Sequence, residues 1–271
     1  MKFSIERVYS KGVSKINEDG ILIKNNLFGV FDGAGSLVKF LNKDGKTGGK
    51  IASEIARNTF SKNNDSLKNL AIKANNIIRE EMEKNKINFL KKENLWGTTA
   101  AVVRVKKDFA EFFQIGDSLI LVVLKNNKPK LIAKYNDHDK ETMIKWKELA
   151  DKKEKNIWKK INKKIIMVRR KSNVTYGFLN GDKKAIKFFN TGKFRLENVK
   201  FIILFTDGLL LPKKDPRRNE DWNKFASIYK KSDLNGLLGY VRSTESADPN
   251  CLLYPRFKKH DDIAAIAIRL R

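Results

Sequence analysis

Five short acidic motifs constrain this chain more than any other feature, because each lies at one end of an apolar run with the length of a β-strand. In chain order they are Asn17–Asp19, Phe31–Gly35, Gly116–Ser118, Thr206–Gly208 and Asp261–Asp262. Five strand ends can bring their carboxylates to one point in space. Because like charges repel, such a cluster is unstable unless cations hold it. Ligands that are all oxygen suit Mg²⁺ or Mn²⁺ rather than zinc, so the motifs predict a centre for hard divalent ions.

The composition is typical of an intracellular globular protein. The chain has 271 residues, of which 41% are hydrophobic, enough to bury a full core. Its one cysteine, Cys251, excludes an internal disulfide and fits a reducing compartment. Only two histidines are present, which excludes a histidine-rich metal site. The N-terminus lacks the apolar stretch of a signal peptide, and no apolar run could span a bilayer. We therefore expect a cytoplasmic protein without a membrane span.

The positive charge has two interpretations. The formal net charge is +26, and residues 125–171 hold 17 Lys and Arg against 6 Asp and Glu. A partner rich in phosphate, such as nucleic acid, an anionic membrane surface or a phosphoprotein, would explain this excess. A general bias towards lysine with solvated faces is the simpler explanation, because the excess is spread widely over the chain. No zinc-finger spacing or aromatic-rich RNA-binding motif accompanies the basic segment.

Hydrophobic periodicity predicts an α+β protein. Alternating or continuous apolar runs predict strands, with those between 97 and 133 forming an antiparallel meander and the glycine-rich Asp32–Ser36 segment ending its strand. Helical spacing predicts helices at about 47–60, 66–89 and 220–229, and one or two amphipathic helices within 137–164. The order of elements favours two sheets with helices outside, in a single domain 1–271 with a Lys-rich helical insert at about 137–164. The predicted strands are 21–23, 27–31, 97–105, 109–115, 119–124, 130–133, 165–168, 201–205 and 263–270.

The motifs become specific when they are taken in order. Asn-Glu-Asp, Phe-Asp-Gly-x-Gly, Gly-Thr-Thr-Ala, Gly-Asp-Ser, Thr-Asp-Gly and a final Asp-Asp-Ile together resemble the type 2C-like, metal-dependent protein Ser/Thr phosphatases. The Gly-Ala-Gly-Ser variant, with Tyr176–Asp182 in the middle of the chain, is similar to a bacterial-type branch. The resemblance implies a four-layer αββα sandwich, with two central antiparallel sheets flanked by helix pairs. It also implies hydrolysis of phosphoserine and phosphothreonine in a phosphoprotein, opposing a Ser/Thr kinase in signalling.

The same resemblance implies roles for the residues of the first two motifs. Asp32 would bridge two Mg²⁺ or Mn²⁺ ions, and Gly33 would offer its carbonyl oxygen. Glu18 and Asp19 would hold metal directly or through water. The two ions would share a water whose lowered pKa makes hydroxide available near neutral pH. A covalent intermediate is then unnecessary, in agreement with the absence of a phosphate-cradle motif around Cys251.

The later motifs complete the implied site. Asp207 and Asp261 would bind the first metal, and Asp117 is associated with a third, weaker metal site. Asp32 and Asp207 are therefore the residues expected to be essential for catalysis. Asp262, beside Asp261, is a candidate to support the ligands.

Two positions depart from the family pattern. Ala34 stands where the eukaryotic enzymes carry a histidine that can act as general acid, a contribution of about 10²–10⁴-fold in rate. Ser14 stands where a phosphate-binding arginine is expected. One hypothesis is that Lys15, next to Ser14, contacts the phosphate; the alternative is that Lys15 is only an exposed lysine on a loop. A lysine would bind phosphate as a point charge, because it lacks the two-pronged guanidinium group of arginine.

Other residues have plainer interpretations. We expect Thr98 and Thr99 to be structural, with hydroxyls bonded near the site. His260 could touch substrate, although a surface histidine is the simpler expectation. Trp146 and Trp158 are expected to be core residues on helix faces.

Two alternatives to a phosphatase remain open at this point. A pseudophosphatase or regulatory binding module of the same fold would explain the missing arginine and histidine, although it would not need so many paired acids. Nucleic-acid association through the basic segment 125–171 could exist alone or beside catalysis, and would show strong salt dependence.

Overall fold

Two antiparallel sheets form the centre of the protein. The computed structural model describes residues 3–270, so residues 1, 2 and 271 of the predicted domain lie outside the described residues. The sheet orders are β1-β10-β9-β6-β7 and β2-β3-β4-β5-β8. The strands are β1 (Phe3–Ser10), β2 (Gly20–Lys24), β3 (Leu27–Ala34), β4 (Gly97–Val105), β5 (Phe109–Ile115), β6 (Leu119–Leu124), β7 (Pro129–Leu131), β8 (Asn190–Arg195), β9 (Val199–Phe205) and β10 (Ile263–Leu270).

Apolar residues on the facing sides of the two sheets form the inner core. Phe28 and Val103 of one sheet are fully buried with Ile202 and Ile266 of the other. Alternate residues of the same strands point outward and are buried under helices, because each sheet is covered on its outer face. This explains why β4 and β9 are apolar along most of their length.

Helices cover both outer faces. Helices α1 and α2 pack on the β2–β8 sheet, and α5 packs on the sheet that contains β1, β7 and β10. Helix α5 is two helical segments joined at a kink, where Ser232 and Asp233 leave helical geometry. The predicted α+β sandwich of two antiparallel sheets with helices outside is confirmed. The helices are α1 (Gly48–Ser61), α2 (Leu67–Lys84), α3 (Lys140–Asp151), α4 (Ile157–Arg170) and α5 (Trp222–Ser246).

Side-chain caps fix where α1 and α2 begin. The Thr47 hydroxyl accepts a hydrogen bond from the backbone N–H of Lys50, and the Ser66 hydroxyl accepts one from Asn69. These bonds satisfy N–H groups that have no partner inside the helix. Helix α2 ends at Lys84, earlier than the predicted end near Phe89.

The predicted meander over 97–133 is wrong in one respect. Strands β4 and β5 pair in one sheet, whereas β6 pairs with β7 and β9 in the other. The chain changes sheets at the turn between Ile115 and Leu119, where Gly116 has φ +74°, a conformation that favours glycine. The acidic residue of this turn, Asp117, is thereby placed between the two sheets.

Several further features of the secondary structure differ from the prediction. Strand β3 does not stop at Phe31: it continues to Ala34, which pairs with Gly97. The predicted strand 165–168 is helical and forms the end of α4, because Ile157, Ile161 and Ile165 recur at the spacing of one helix face. Strands β1 and β8 were not predicted; β8 is a mostly exposed edge strand without an apolar pattern.

Helices α3 and α4 form a small cluster of their own. The Trp146 ring is buried and its indole N–H donates to the Cys251 carbonyl oxygen at 2.8 Å. The rings of Trp158 and Phe257 pack around it. Trp158 nevertheless remains 50% exposed, so its prediction as a core residue is wrong.

Four of the 15 lysines of the basic segment 125–171 form ion pairs with acids. Lys147 contacts Asp151 at 2.5 Å and Lys145 contacts Glu148 at 3.3 Å within α3. Such exposed pairs stabilise the fold little. None of the helices in the described part of the chain has the length and hydropathy needed to cross a bilayer.

Candidate active site

A cleft of about 750 Å³ collects the acidic motifs at the rim of the sandwich. Its acidic residues come from the loop before β2, the end of β3, the β5–β6 turn, the residue before α3, the turn after β9 and the residue pair before β10. Basic residues from the N-terminal loop, helix α4 and the loop before β10 face the same space. The charged residues that line it are Lys15, Glu18, Asp32, Lys39, Asp117, Asp139, Arg169, Asp207, Lys258 and Asp261.

Strand pairing positions Asp32. It lies opposite Thr99 in the β3–β4 register. The Thr98 hydroxyl donates to the Asp32 carbonyl oxygen at 2.8 Å, and Thr99 shares a hydrogen bond of 2.7 Å with Ser118. The structural role predicted for both threonines is confirmed. The continuation of β3 past Phe31 therefore holds Asp32 rigidly at the mouth of the cleft.

Glycines allow the start of α1 to approach the end of β3. A Cβ atom at Gly33 would lie 2.3 Å from the Gly49 carbonyl oxygen and 2.6 Å from that of Glu18. Both distances are far below normal contact, and both partners are backbone atoms that cannot move alone. Glycine at position 33 is thus required by packing, apart from any contribution of its own carbonyl group.

Asp262 anchors the loop that carries Glu18. Its two carboxylate oxygens accept hydrogen bonds of 2.8 Å from the backbone N–H groups of Gly12 and Glu18. The Asp262 side chain is buried and does not line the cleft. It therefore supports the site by fixing a backbone segment. The Glu18 carboxylate itself accepts a hydrogen bond from the Thr47 hydroxyl at the start of α1.

Asp19 lies beneath the cleft. It is only 1% exposed, and its Oδ2 accepts a hydrogen bond of 2.8 Å from the Thr206 hydroxyl. Asp207, the residue after Thr206, begins a short 3₁₀ turn and lines the cleft. A Cβ atom at Gly208 would lie 2.0 Å from the Asp262 carbonyl oxygen, which explains the glycine of the Thr-Asp-Gly motif.

Asp261 is held by two basic residues. Lys258 Nζ lies 2.7 Å from its Oδ1, and Arg242 donates to its carbonyl oxygen at 2.6 Å. The carboxylates of Asp261, Asp32 and Asp207 all raise the pKa of Lys258, although its burial opposes them. Lys258 is therefore a fixed positive charge at the edge of the acidic cluster.

The acids influence one another electrostatically. Burial, and then the charges of Asp117 and Asp261, raise the pKa of Asp32 well above its usual range. Burial and then Asp32 raise the pKa of Asp207 and of Asp19, while the Thr206 hydrogen bond partly offsets the rise at Asp19. These shifts show that the acids share one environment in which full ionisation without a counter-charge is unfavourable.

The acids are close without forming a ready coordination shell. Within residues 3–270, no group of three or more His, Cys, Asp or Glu side chains is arranged to hold a metal ion. Asp117 Oδ1 is buried and has no hydrogen-bond partner. The possible ligands in this cluster are all oxygen atoms, and most of them belong to carboxylates that carry negative charge. Such ligands suit a hard divalent cation.

Several cleft residues were not predicted. His138 Nδ1 is 3.7 Å from Asp117 Oδ2, too long for a hydrogen bond, and its Nε2 is 3.6 Å from Asp139. Its ring stacks on Tyr176 with centroids 4.0 Å apart. Arg169 and Lys258 complete the group. A histidine between two aspartates, after a strand, was the available signal for His138; no local pattern distinguishes Arg169 or Lys258 from the many other basic residues.

The two departures from the family pattern lie where the resemblance implies. Ser14, Lys15 and Ala34 all line the cleft, and Lys15 is exposed. His260 is neither in the cleft nor a simple surface histidine: its Nδ1 lies 2.8 Å from Glu245. Cys251 is buried in the α3–α4 cluster, and burial raises the pKa of its thiol, so it has no place in the chemistry of this cleft.

Comparison with known families gives a decisive match. The sequence profile of the protein phosphatase 2C family matches residues 18–238, most of the chain. The chain belongs to this family. The predicted resemblance is thereby confirmed, and so is the prediction that the protein is a phosphoprotein phosphatase. No curated protein matches the chain by sequence.

Solved phosphatase structures share the protein phosphatase 2C fold of this chain. The serine/threonine phosphatase PstP/Ppp of Mycobacterium tuberculosis has a TM-score of 0.63 at 16% identity, covering 99% of both chains. Stp1 of Staphylococcus aureus has a TM-score of 0.58 at 14% identity, covering 100% of this chain and 96% of its own. The PstP catalytic domain in complex with two manganese ions has a TM-score of 0.60 at 13% identity, covering 98% of this chain and 97% of its own. At these identities the likeness establishes a common, bacterial-type fold.

Proposed function

We propose that this protein is a Mg²⁺- or Mn²⁺-dependent phosphatase that hydrolyses phosphoserine and phosphothreonine in proteins. The observation that carries this proposal is the convergence of Glu18, Asp32, Asp117, Asp207 and Asp261 on one cleft. These residues are separated by up to most of the chain length, and local folding alone would not bring them together. The family match and the two manganese ions of the PstP catalytic domain support the same function.

The residues present fit divalent cations by their chemistry. The Asp32 carboxylate and the Gly33 carbonyl oxygen would help to hold the ions, with Glu18, Asp207 and Asp261 as further ligands. Asp19 would act from beneath the cleft, directly or through water, and the unpartnered Oδ1 of Asp117 would serve a weaker third ion. Bound cations would lower the pKa of a water molecule and offset the charge that builds on the phosphoryl oxygens.

The basic residues of the cleft would bind the phosphate group. Ser14 offers no positive charge, so we assign this contact to Lys258 and Arg169, with Lys15 at the outer edge. Arg169 can hold two oxygens at once, whereas the lysines act as point charges. Ala34 cannot give a proton to the leaving group. Two polar side chains, those of His138 and Tyr176, line the same cleft as Ala34.

We also propose that the predicted domain 1–271 acts as one catalytic unit. The profile match extends over 18–238, and the related structures are covered over nearly their full length. The two alternatives, a pseudophosphatase and a nucleic-acid-binding role for residues 125–171, gain no support from the comparisons. The ion pairs within α3 favour the solvated-lysine interpretation of the basic segment.

Hydrolysis of p-nitrophenyl phosphate and of a phosphothreonine peptide tests the proposal. We expect turnover only with added Mn²⁺ or Mg²⁺, loss on chelation, and loss in Asp32→Asn and Asp207→Asn. Asp108→Asn, at an exposed position outside the cleft, is the matched control and should keep full activity. Turnover that persists in both cleft variants, or that is unaffected by a chelator, would contradict the proposal.

A further inference from the structure

One wall of the cleft is apolar, although the acids lie in the same cavity. Leu37, Phe40 and Leu41 contribute from the loop after β3, and Trp158 and Ile165 contribute from helix α4. Leu37 is 41% exposed, Leu41 49% and Trp158 50%. Large apolar side chains grouped in a concave, solvent-filled site are typical of ligand-binding surfaces. Metal ions and a phosphoryl group would leave this wall unused.

The exposed face of Trp158 is held rigidly. Its ring makes an edge-on contact with Trp146, with centroids 5.2 Å apart, and packs on Phe257 at 5.7 Å. The other end of α4 is fixed by Arg170, which donates two hydrogen bonds, of 2.7 and 3.0 Å, to the Glu93 carboxylate. A rigid, half-exposed tryptophan offers a large contact area at little entropic cost, which is why tryptophan is enriched at binding hot spots.

Helix α4 connects the apolar wall to the charged part of the cleft. Arg169, near its end, lines the cleft together with Tyr176 and Asp139, which lie beside the acidic cluster. Ile165 is one turn before Arg169, and Trp158 is eleven residues before it, about 16 Å along the helix axis. An extended peptide covers about 3.3 Å per residue, so the path from Arg169 to the far end of the wall at Trp158 corresponds to about five residues of a bound peptide.

We propose that the wall formed by Leu37, Leu41, Trp158 and Ile165 is a substrate subsite. It would bind a large aliphatic or aromatic side chain that lies within about five residues of the phosphorylated serine or threonine. This inference rests on the proposed function, since it assumes that the phosphoryl group binds among the acids of the same cleft. Lys15, Lys39 and Arg169 also line the cleft, and their positive charge suits a peptide made negative by its phosphate.

A peptide suits this surface better than a membrane or a second copy of the chain. The apolar side chains lie inside a cleft that is continuous with the acidic cluster. A bilayer or a folded partner requires a protruding or flat surface to bury comparable area, whereas a single side chain of an extended peptide can enter a recess.

Paired phosphothreonine peptides test the subsite. The two members of each pair are identical except for leucine or serine at one position, which is moved in turn from one to five residues on either side of the phosphothreonine. Dissociation constants of labelled peptides are measured with Mn²⁺ on full-length Asp32→Asn protein, where turnover is blocked, and kcat/KM is measured on the unaltered chain. We expect leucine to be favoured about tenfold in at least one position, as is typical for filling an apolar pocket.

Three variants make the test specific. In Trp158→Ala and in Ile165→Ser, combined with Asp32→Asn for binding, the leucine-to-serine ratio should fall close to one. In Met167→Ala it should be unchanged, because Met167 is an equally exposed apolar residue of α4 that does not line the cleft. The ratio compares two peptides on the same protein, so a partial loss of folded protein does not change it.

The outcomes separate this inference from the proposed function. A ratio of one at every position, or a preference that survives both cleft variants, overturns the subsite. A leucine preference in binding without any metal-dependent hydrolysis by the unaltered chain overturns the phosphatase proposal and leaves the subsite intact. If Trp158→Ala instead removes self-association in sedimentation experiments while the ratio is unchanged, the wall is an interface between copies and the subsite is wrong.

Discussion

Thr206 Oγ1 donates a hydrogen bond of 2.8 Å to Oδ2 of Asp19, a residue 187 positions earlier in the chain. The same hydroxyl accepts a hydrogen bond of 2.9 Å from the backbone N–H of Ala264. Both side chains are almost completely buried. One hydroxyl therefore ties the N-terminal loop, the end of β9 and the start of β10 together directly beneath the cleft, and it explains the threonine of the Thr-Asp-Gly motif.

Thr206→Val should destabilise the fold by about 1–3 kcal/mol, because a buried carboxylate and a buried N–H lose their partner while the shape is preserved. The pKa of Asp19 should rise further, since this hydrogen bond lowers it in the native protein. Urea unfolding measures the loss. Thr191→Val, at an exposed position of β8, is the control; equal midpoints for both variants would contradict the role of Thr206.

Asp262→Asn should weaken the loop that carries Glu18. An amide keeps one acceptor oxygen for the two backbone N–H groups of Gly12 and Glu18, and its NH₂ group opposes the second donor. We expect a loss of about 1–3 kcal/mol in unfolding free energy together with weaker metal-dependent activity. Protection of the Gly12 and Glu18 amides from hydrogen exchange would report the loop directly, and unchanged protection would show that Asp262 does not anchor it.

Gly33→Ala should displace the end of β3 from the start of α1, since the added Cβ atom would lie 2.3 Å from the Gly49 carbonyl oxygen. We expect a destabilisation of about 3 kcal/mol, the upper end of the range typical of overpacking, because the contacts are with rigid backbone. Gly239→Ala is the matched control, because nothing lies within 4 Å of its Cβ position in helix α5; alanine there should be neutral or stabilising by up to about 1 kcal/mol. Thermal unfolding of the two variants compares them, and similar melting temperatures would refute the close approach.

The Glu93–Arg170 pair should make α4 sensitive to acid. Arg170 lowers the pKa of Glu93 from 4.5 to about 2. A lowered carboxyl pKa means that the pair stabilises the folded protein above about pH 4.5 and that this stabilisation disappears as the pH falls towards 2. The difference in melting temperature between the unaltered chain and Glu93→Gln should therefore be largest near neutral pH and shrink below pH 4.5.

The control for this pH dependence is Glu197→Gln, at an exposed position without a salt bridge among the described residues. Its melting temperature should follow that of the unaltered chain at every pH. High salt should also reduce the Glu93→Gln difference, because the Arg170 side chain of this pair is 61% exposed to solvent. A difference that is constant from pH 7 to pH 3 would mean that the effect of Glu93 is not electrostatic.

Metal binding should stabilise the protein by mass action. Mn²⁺ at 100 times its dissociation constant would add about 2.7 kcal/mol to the unfolding free energy, if it binds only the folded state. Calorimetric scans with and without Mn²⁺ measure this as a rise in melting temperature, independently of turnover. In Asp32→Asn the rise should be much smaller. An equal rise in Asp108→Asn and Asp32→Asn would place the ions elsewhere.

Local patterns in the sequence predicted many of the strands and helices correctly. Alternating and continuous apolar runs predicted β4, β5, β6 and β10 at nearly their observed bounds. A strand buried on one face has alternating apolar residues, and a strand buried on both faces has a continuous apolar run. Strand β8 was missed since its residues are exposed and polar. The end of α4 was mistaken for a strand because four consecutive apolar residues have the same composition in either state.

The acidic motifs and their order were sufficient to identify the family and to predict five of the six acids that line the cleft, although Asp19 lies beneath it and Asp139 was not predicted. The sequence alone determined this because those five acids lie at or next to the ends of strands, where a motif is easily recognised beside an apolar run. Only the tertiary structure decided that the chain changes sheets at Gly116, that Asp262 holds a backbone loop, and that His138, Arg169 and Lys258 face the acids. These relationships join segments far apart in the chain through packing and side-chain direction, and no local spacing encodes them.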